Sequence, residues 1–222
     1  MSASPRLTLP AGLRAVLFDL DGTLVDSYPA IAASVNHVRG LHGLPPLSVA
    51  EVTRHVGHGP HHLLDHTVGV GEVDANVAAY RAHHPSVLRS GTTLLPGARA
   101  ALAALHARGL KLGVCSNKPV DFTRELVAYL GIGDLLDLAL GPEDVGRHKP
   151  APDMLLLAMH RLGVRPDETL YVGDMTVDVE TARAAGVPVW VVPTGSDSLA
   201  ALDRAGPDRR LTDLAELAAA AA

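Results

Sequence analysis

From residue 94 onward the chain alternates short apolar runs with helical periodicity, and this restricts the fold more than any other feature. The runs are KLGVCS at 111–116, LLDLALG at 135–141, TLYVGD at 169–174 and VPVWVVP at 187–193, and RAVLFDL at 14–20 precedes them. Short apolar runs bounded by polar residues read as strands buried on both faces. Between them, Phe122, Leu126 and Leu130 are spaced by four, and Leu155, Ala158, Met159 and Leu162 fall at i, i+3, i+4 and i+7. That spacing lines one face of a helix. Gly109, Gly131, Gly163 and Gly186 stand where such helices would end, because a left-handed residue after the last turn is best supplied by glycine. The alternation predicts an α/β fold with a Rossmann-like parallel sheet built from βαβ units.

The stretch from Ser27 to Leu94 breaks the pattern. It holds no strand-like run but four helical candidates: YPAIAASVNHVRG, SVAEVTRHV, PHHLLDHTV and VDANVAAYRAHHPSVL. A crossover between parallel strands needs about a dozen residues, and this one is several times longer. The expected organisation is a flexible tail over 1–10, an α/β core over 11–26 and 95–222, and an all-α cap over 27–94. The cap would overhang the carboxyl edge of the sheet, where open α/β sheets bind ligands.

Composition narrows the class. Of 222 residues, 47% are hydrophobic and 19% charged, too apolar for a disordered chain. The net charge of −5 and the absence of a basic stripe argue against nucleic acid as a partner. A single cysteine fits a reducing compartment. MSASPRLTLP lacks the features of a secretory signal, and no apolar run is long enough to span a membrane. The expectation is a cytoplasmic monomer or homodimer without a membrane or nucleic-acid partner.

Chemistry concentrates at strand ends. Asp19-Leu20-Asp21-Gly22-Thr23 closes the first strand. Two acids at the tip of an apolar strand repel each other and resist desolvation. A cation would hold them, and oxygen-only ligands suit Mg²⁺. Asp174 and Asp178 follow the strand TLYV and would face one point if a helix began between them. Ser116-Asn117-Lys118-Pro119 follows KLGVC, where a hydroxyl, an amide and helix-start N–H groups make an anion site. Lys149, in His148-Lys149-Pro150, is one of three lysines in a chain that otherwise uses arginine. Pro150 and Pro152 would hold its backbone extended. Acids for a metal plus donors and a cation for an anion are the parts needed for phosphoryl transfer. No GxxxxGK[ST], GxGxxG or GxSxG motif occurs.

LFDLDGTLVDS, CSNKP, HKPAPD and VGDMTVDVETARAAG together resemble the four ordered motifs of the haloacid dehalogenase superfamily, over residues 14–195. The length between Asp26 and the second motif resembles members with a helical cap. Asn-Lys-Pro, Val-Gly-His-Gly and Pro-Thr-Gly are most similar to the phosphoglycolate phosphatase group. The resemblance implies a Mg²⁺-dependent phosphatase acting on a small phosphorylated metabolite. It implies Asp19 as the nucleophile that becomes an aspartyl-phosphate and Asp21 as general acid and base. The metal would rest on the Asp19 carboxylate, the Asp21 carbonyl and Asp174, with Asp178 in support through water. Ser116 and Asn117 would bind phosphoryl oxygens and Lys149 would neutralise them. Met175 departs from the serine common after Gly-Asp and would alter packing beside the metal. Lys118 is evenly poised between a role and the surface.

The cap should read the leaving group. A carboxylate is matched by a guanidinium, so Arg54, just before Val56-Gly57-His58-Gly59, is the leading candidate, with His55 and His58 in reserve. Nine of the twelve histidines lie between His37 and His84. His62 and His66, at i and i+4 with Asp65 nearby, form at most an incomplete metal site. Cys115 and Trp190 read as core. Competing functions are a pyrophosphatase or β-phosphoglucomutase on the same scaffold, and a phospho-aspartate receiver module. Receivers are shorter and lack both the insert and an acid two residues past the nucleophile. A haloacid dehalogenase would lack Asp21.

Overall fold

A computed structural model describes residues 7–222. The strands are β1 Ala15–Phe18, β2 Val25–Asp26, β3 Thr93–Leu94, β4 Lys111–Cys115, β5 Leu138–Leu140, β6 Thr169–Gly173, β7 Val189–Val191 and β8 Arg209–Arg210. The first five helices are α1 Tyr28–Leu41, α2 Val49–Thr53, α3 Pro60–Thr67, α4 Val73–His83 and α5 Pro85–Leu88. The others are α6 Ala98–Ala107, α7 Val120–Tyr129, α8 Asp153–Leu162, α9 Thr176–Ala185, α10 Leu199–Ala205 and α11 Leu214–Ala221.

Six strands form one sheet in the order β5-β4-β1-β6-β7-β8, and every neighbouring pair is parallel. The strand period sends alternate side chains to opposite faces. Val16, Phe18, Val114 and Val172 pack with Leu102, Leu126 and Leu217 of α6, α7 and α11 on one face. Ala15, Leu17, Tyr171 and Val189 pack with Leu155, Val179 and Leu202 of α8, α9 and α10 on the other. Both faces are covered, which is why these strands read as continuous apolar runs rather than as an alternation.

The register positions the site. Phe18 at the end of β1 pairs with Val114 of β4 and Val172 of β6. The residues just beyond, Asp19, Ser116 and Asp174, therefore emerge side by side at the carboxyl edge of three adjacent strands.

Helices α1–α5 fill the expected insert. Its fourth candidate is two helices, because Pro85 has no N–H to continue the ladder past His84. Two short strands stand at the ends of the insert, and β3 lies inside the span expected to be all-α. β2 pairs antiparallel with β3, Val25 opposite Leu94 and Asp26 opposite Thr93. Each is too short to show a period. The edge strand β8, Arg209–Arg210, is charged and exposed, so no apolar run announces it. The tail expected over 1–10 falls partly outside the described residues. Within them, Leu7 and Leu9 pack against the core, because two leucines find apolar surface there. Among the described residues no helix is long and apolar enough to cross a membrane.

Candidate active site

The turn after β1 folds back on itself. Gly22 has φ +85°, and a Cβ there would stand 2.4 Å from Asp174 Oδ2 and from the Tyr28 hydroxyl. Only glycine allows both the left-handed backbone and the close approach. The turn brings Thr23 to donate a hydrogen bond to Asp174 Oδ1 and Ser27 to donate to Asp21 Oδ1.

Asp19, Asp174 and Asp178 are buried and offer carboxylate oxygens within 4.8 Å of one another, the one such group among the described residues. Lys149, 1% exposed, reaches from the loop before α8 into this trio. Its Nζ lies 2.7 Å from Asp178 Oδ1, 3.1 Å from the Tyr171 hydroxyl and 3.0 Å from Asp19 Oδ1. The contact with Asp19 is an ion pair that lies off the hydrogen-bonding line. Burial alone would lower the Lys149 pKa, but Asp178 and Asp19 raise it above its ordinary value. The Lys149–Pro150 peptide is cis, not the extended link expected from the prolines.

Asp178 is saturated. Oδ2 accepts the backbone N–H groups of Asp174 and Met175, each at 3.0 Å, while Oδ1 faces Lys149 and Tyr171. It therefore braces the start of α9. Asp174 Oδ2, by contrast, is buried without a hydrogen-bond partner. Burial, then Asp178 and Asp19, push the Asp174 pKa well above the ordinary carboxylate range. Burial likewise raises Asp19 to about 6, although Lys149 pulls it down. With all three acids ionised, one ammonium leaves two negative charges uncompensated, and two acceptors, Asp19 Oδ1 and Asp174 Oδ2, have no hydrogen-bond partner. A divalent cation with oxygen ligands supplies what is missing, so the residues fit a metal site.

A cavity of about 40 Å³ borders Asp19, room for a few waters. Asp19, Asp21, Ser116, Asn117 and Lys118 form its floor, and Val56, Gly57, Leu63 and Tyr80 of the cap form part of its roof. Sequence expectation and geometry part at several residues here. The Asn117 side chain is already engaged: Nδ2 donates to the Gly57 and Lys149 carbonyls, and Oδ1 accepts from the Lys149 N–H, all at 3.0 Å. It is a clamp between cap, core and lysine loop. Lys118 is not a surface residue. It is buried, and its Nζ lies 3.2 Å from both Asp21 oxygens. Met175 is buried and its Sδ abuts Gly57, so it packs against the cap loop. Cys115 is buried and its thiol is pushed up to about 12 by burial. Trp190 is in the core.

The three cap candidates lie outside the cavity lining. Arg54 caps the end of α2, is exposed, and does not line the cavity. The helix ends one residue before it, so the side chain leaves the loop on the solvent side. His55 is half-buried and stacks on His66 with ring centres 5.6 Å apart, outside the cavity wall. His58 is exposed and lines an outer groove with His61 and Arg81. The rings of His62 and His66 stack at 4.0 Å, and these histidines do not converge on a third ligand. Ion pairs tie cap to core: Arg81 to Asp121 at 2.9 Å and Glu143 at 3.2 Å, and Arg89 to Glu125 at 2.9 Å. Thr23, Ser27, Tyr171 and Tyr80 were not singled out from the sequence. Thr23 alone carried a signal, since it completes the motif at the tip of β1.

A parallel sheet with acids at the tips of β1 and β6, a buried lysine between them and a helical lid defines a class. A model of the haloacid dehalogenase-like hydrolases matches residues 16–192, and the chain belongs to that family. Among curated relatives, phosphoglycolate phosphatase of Rhodospirillum rubrum is 40% identical over 193 residues, covering 82% of this chain and 80% of that protein. Phosphoglycolate phosphatase of Escherichia coli (strain K12) is 34% identical over 220 residues, covering 88% and 87%. A crystal structure of a predicted phosphoglycolate phosphatase from Haemophilus somnus superposes with TM-score 0.88 at 27% identity, covering 93% and 97%. A hydrolase of the same family from Deinococcus radiodurans, solved with bound phosphate and sodium, superposes with TM-score 0.74 at 29% identity, covering 93% and 94%. The chain is a phosphatase-type enzyme of this family.

Proposed function

We propose that the protein is a Mg²⁺-dependent phosphomonoester hydrolase acting on 2-phosphoglycolate or a similarly small organic phosphate. The observation that carries the reading is the placement of Asp19. One side of it faces the small capped cavity, and behind it lie Lys149 and the unpartnered Asp174. Asp19 attacks phosphorus, the P–O bond to the leaving group breaks, and Asp21 protonates the departing oxygen. Asp21 then takes a proton from water as that water attacks the aspartyl-phosphate, which releases phosphate and restores Asp19. Asp19, Asp174 and the Asp21 carbonyl would hold the Mg²⁺, which would supply charge neutralisation to the transferring phosphoryl group. Ser116, the Asn117 backbone N–H and Lys149 hold the phosphoryl oxygens. Asp178 keeps Lys149 and the start of α9 in place.

The cavity favours a small leaving group. Its cap wall is largely apolar, with Ile31, Val56 and Leu63, a poor match for a sugar phosphate or for a second phosphoryl dianion. We also propose that residues 27–94 act as a cap body, separate from a core of 11–26 and 95–222, which opens to admit substrate. The test is Asp19→Asn, nearly isosteric and unable to form the acyl-phosphate. It is expected to melt like wild type and to lose turnover of 2-phosphoglycolate with Mg²⁺. Activity within about tenfold of wild type would remove Asp19 as nucleophile.

A further inference from the structure

We infer that Lys118 is the specificity-determining residue of this site, reading a carboxylate on the leaving group with the Tyr80 hydroxyl as second donor. The inference rests on the proposed reading of the substrate. It starts from a distance imposed by that substrate's covalent structure. In 2-phosphoglycolate one methylene separates the ester oxygen from the carboxylate carbon. The group that protonates the ester oxygen and the group that binds the carboxylate must therefore be neighbours. Lys118 Nζ lies 3.2 Å from both oxygens of Asp21, the residue proposed to protonate that oxygen. It is also the one cation among the described residues lining the cavity.

The alternatives are spoken for. Lys149 is held by Asp178, Asp19 and Tyr171 on the phosphoryl side. Arg54 and His58 are exposed outside the cavity, and Arg81 is paired with Asp121 and Glu143. Lys118, by contrast, has spare capacity. An ammonium carries three N–H donors, and among the described residues Asp21 is its only hydrogen-bond partner. Tyr80 comes from α4 on the cap side, is 4% exposed, and lines the same cavity with its hydroxyl making no hydrogen bond among the described residues. A buried ammonium from the core and a buried phenol from α4 lining one small cavity suit a carboxylate better than an alkyl or hydroxyl group. Because Lys118 belongs to the core and Tyr80 to the cap, such a ligand would also draw the cap shut.

The test compares 2-phosphoglycolate with 2-phosphoglycolamide, its neutral isostere, in wild type and Lys118→Met. The acid-to-amide ratio of kcat/KM is expected to fall by about 10- to 150-fold in the variant, the scale of one hydrogen bond to a charged group, with most of the loss in KM for the acid. Lys118→Gln, which keeps a donor for Asp21, is expected to give the same change in ratio and guards against a folding defect in the first variant. An equal loss on both esters would mean that Lys118 serves only to hold Asp21, and overturns the inference. A wild-type preference for the acid that survives in both variants overturns it as well while leaving the substrate reading intact. Wild-type enzyme that turns over the amide as readily as the acid refutes the substrate reading and, with it, this assignment.

Discussion

His84 is a buried histidine whose protonation is expected to set part of the stability of the fold at acid pH. It is 0% exposed, its Nδ1 lies 2.9 Å from Ser34 Oγ, and its Nε2 is buried without a partner. Tyr80 stacks on one side of the ring and Phe122 of α7 tilts against it. Burial, then Lys118 and His83, lower its pKa to about 2, against an ordinary 6.5. A histidine whose folded pKa is depressed stabilises the fold above its unfolded pKa and loses that contribution as pH falls below it. At pH 5.5 the unfolded chain binds the proton and the native state does not. The linkage integral between pH 7.0 and 5.5 comes to about 1.2 kcal/mol of lost stability. Any native pKa below about 4 gives the same figure, because the unfolded chain sets it. The perturbation is His84→Phe, which removes the titrating group and keeps an aromatic ring against Tyr80 and Phe122. Ser34 Oγ retains His83 Nδ1 at 3.2 Å. Urea unfolding of both proteins at the two pH values reads the difference. Wild type is expected to lose about 1.2 kcal/mol more than the variant on acidification. Equal losses would show that His84 takes up its proton inside the fold, and would refute the reasoning.

Two further predictions concern the acid trio. Millimolar Mg²⁺ added to metal-free protein is expected to raise the melting temperature, since a ligand that binds only the native state stabilises it, and EDTA is expected to stop turnover reversibly; no shift together with full activity in EDTA would refute the metal site. A Cβ on Gly195 would stand 1.8 Å from Asp174 Oδ2, so Gly195→Ala is expected to abolish the Mg²⁺-induced stabilisation and cut activity at least about tenfold, whereas an unchanged calorimetric shift would show that Asp174 does not need that clearance.

The legible parts of this chain are those where one residue type answers one physical demand. Continuous apolar runs identified β1, β4 and β6 because these strands are covered on both faces, and glycine marked the helix ends because the left-handed backbone there excludes most side chains. The acid pairs stood out because nothing in a core tolerates them without a partner. Where a side chain points across the cap–core seam was not legible. Arg54 has the right chemistry and lies next to the right loop, yet α2 ends so that it faces water. For Lys118 the sequence left a role and the surface evenly balanced, because no local pattern tells that its Nζ reaches Asp21, 97 residues away along the chain. Asn117 has a ligand's chemistry, but its amide is occupied by the Gly57 and Lys149 carbonyls, which lie 60 and 32 residues away along the chain. β2, β3 and β8 are two residues each, too short for any period to register.

The pairing of β2 with β3 has a consequence for how such a chain can be altered. Val25 faces Leu94 and Asp26 faces Thr93 in a two-stranded sheet of their own, so the chain enters and leaves the helical insert at points about 5 Å apart. A tight turn could close that gap without moving either β1 or α6. Everything between is, topologically, a detachable loop. A lid of another length or shape could join the same two strands and leave the strand order of the main sheet unaltered. Selection on the leaving group and selection on the sheet would then act on separate stretches of sequence.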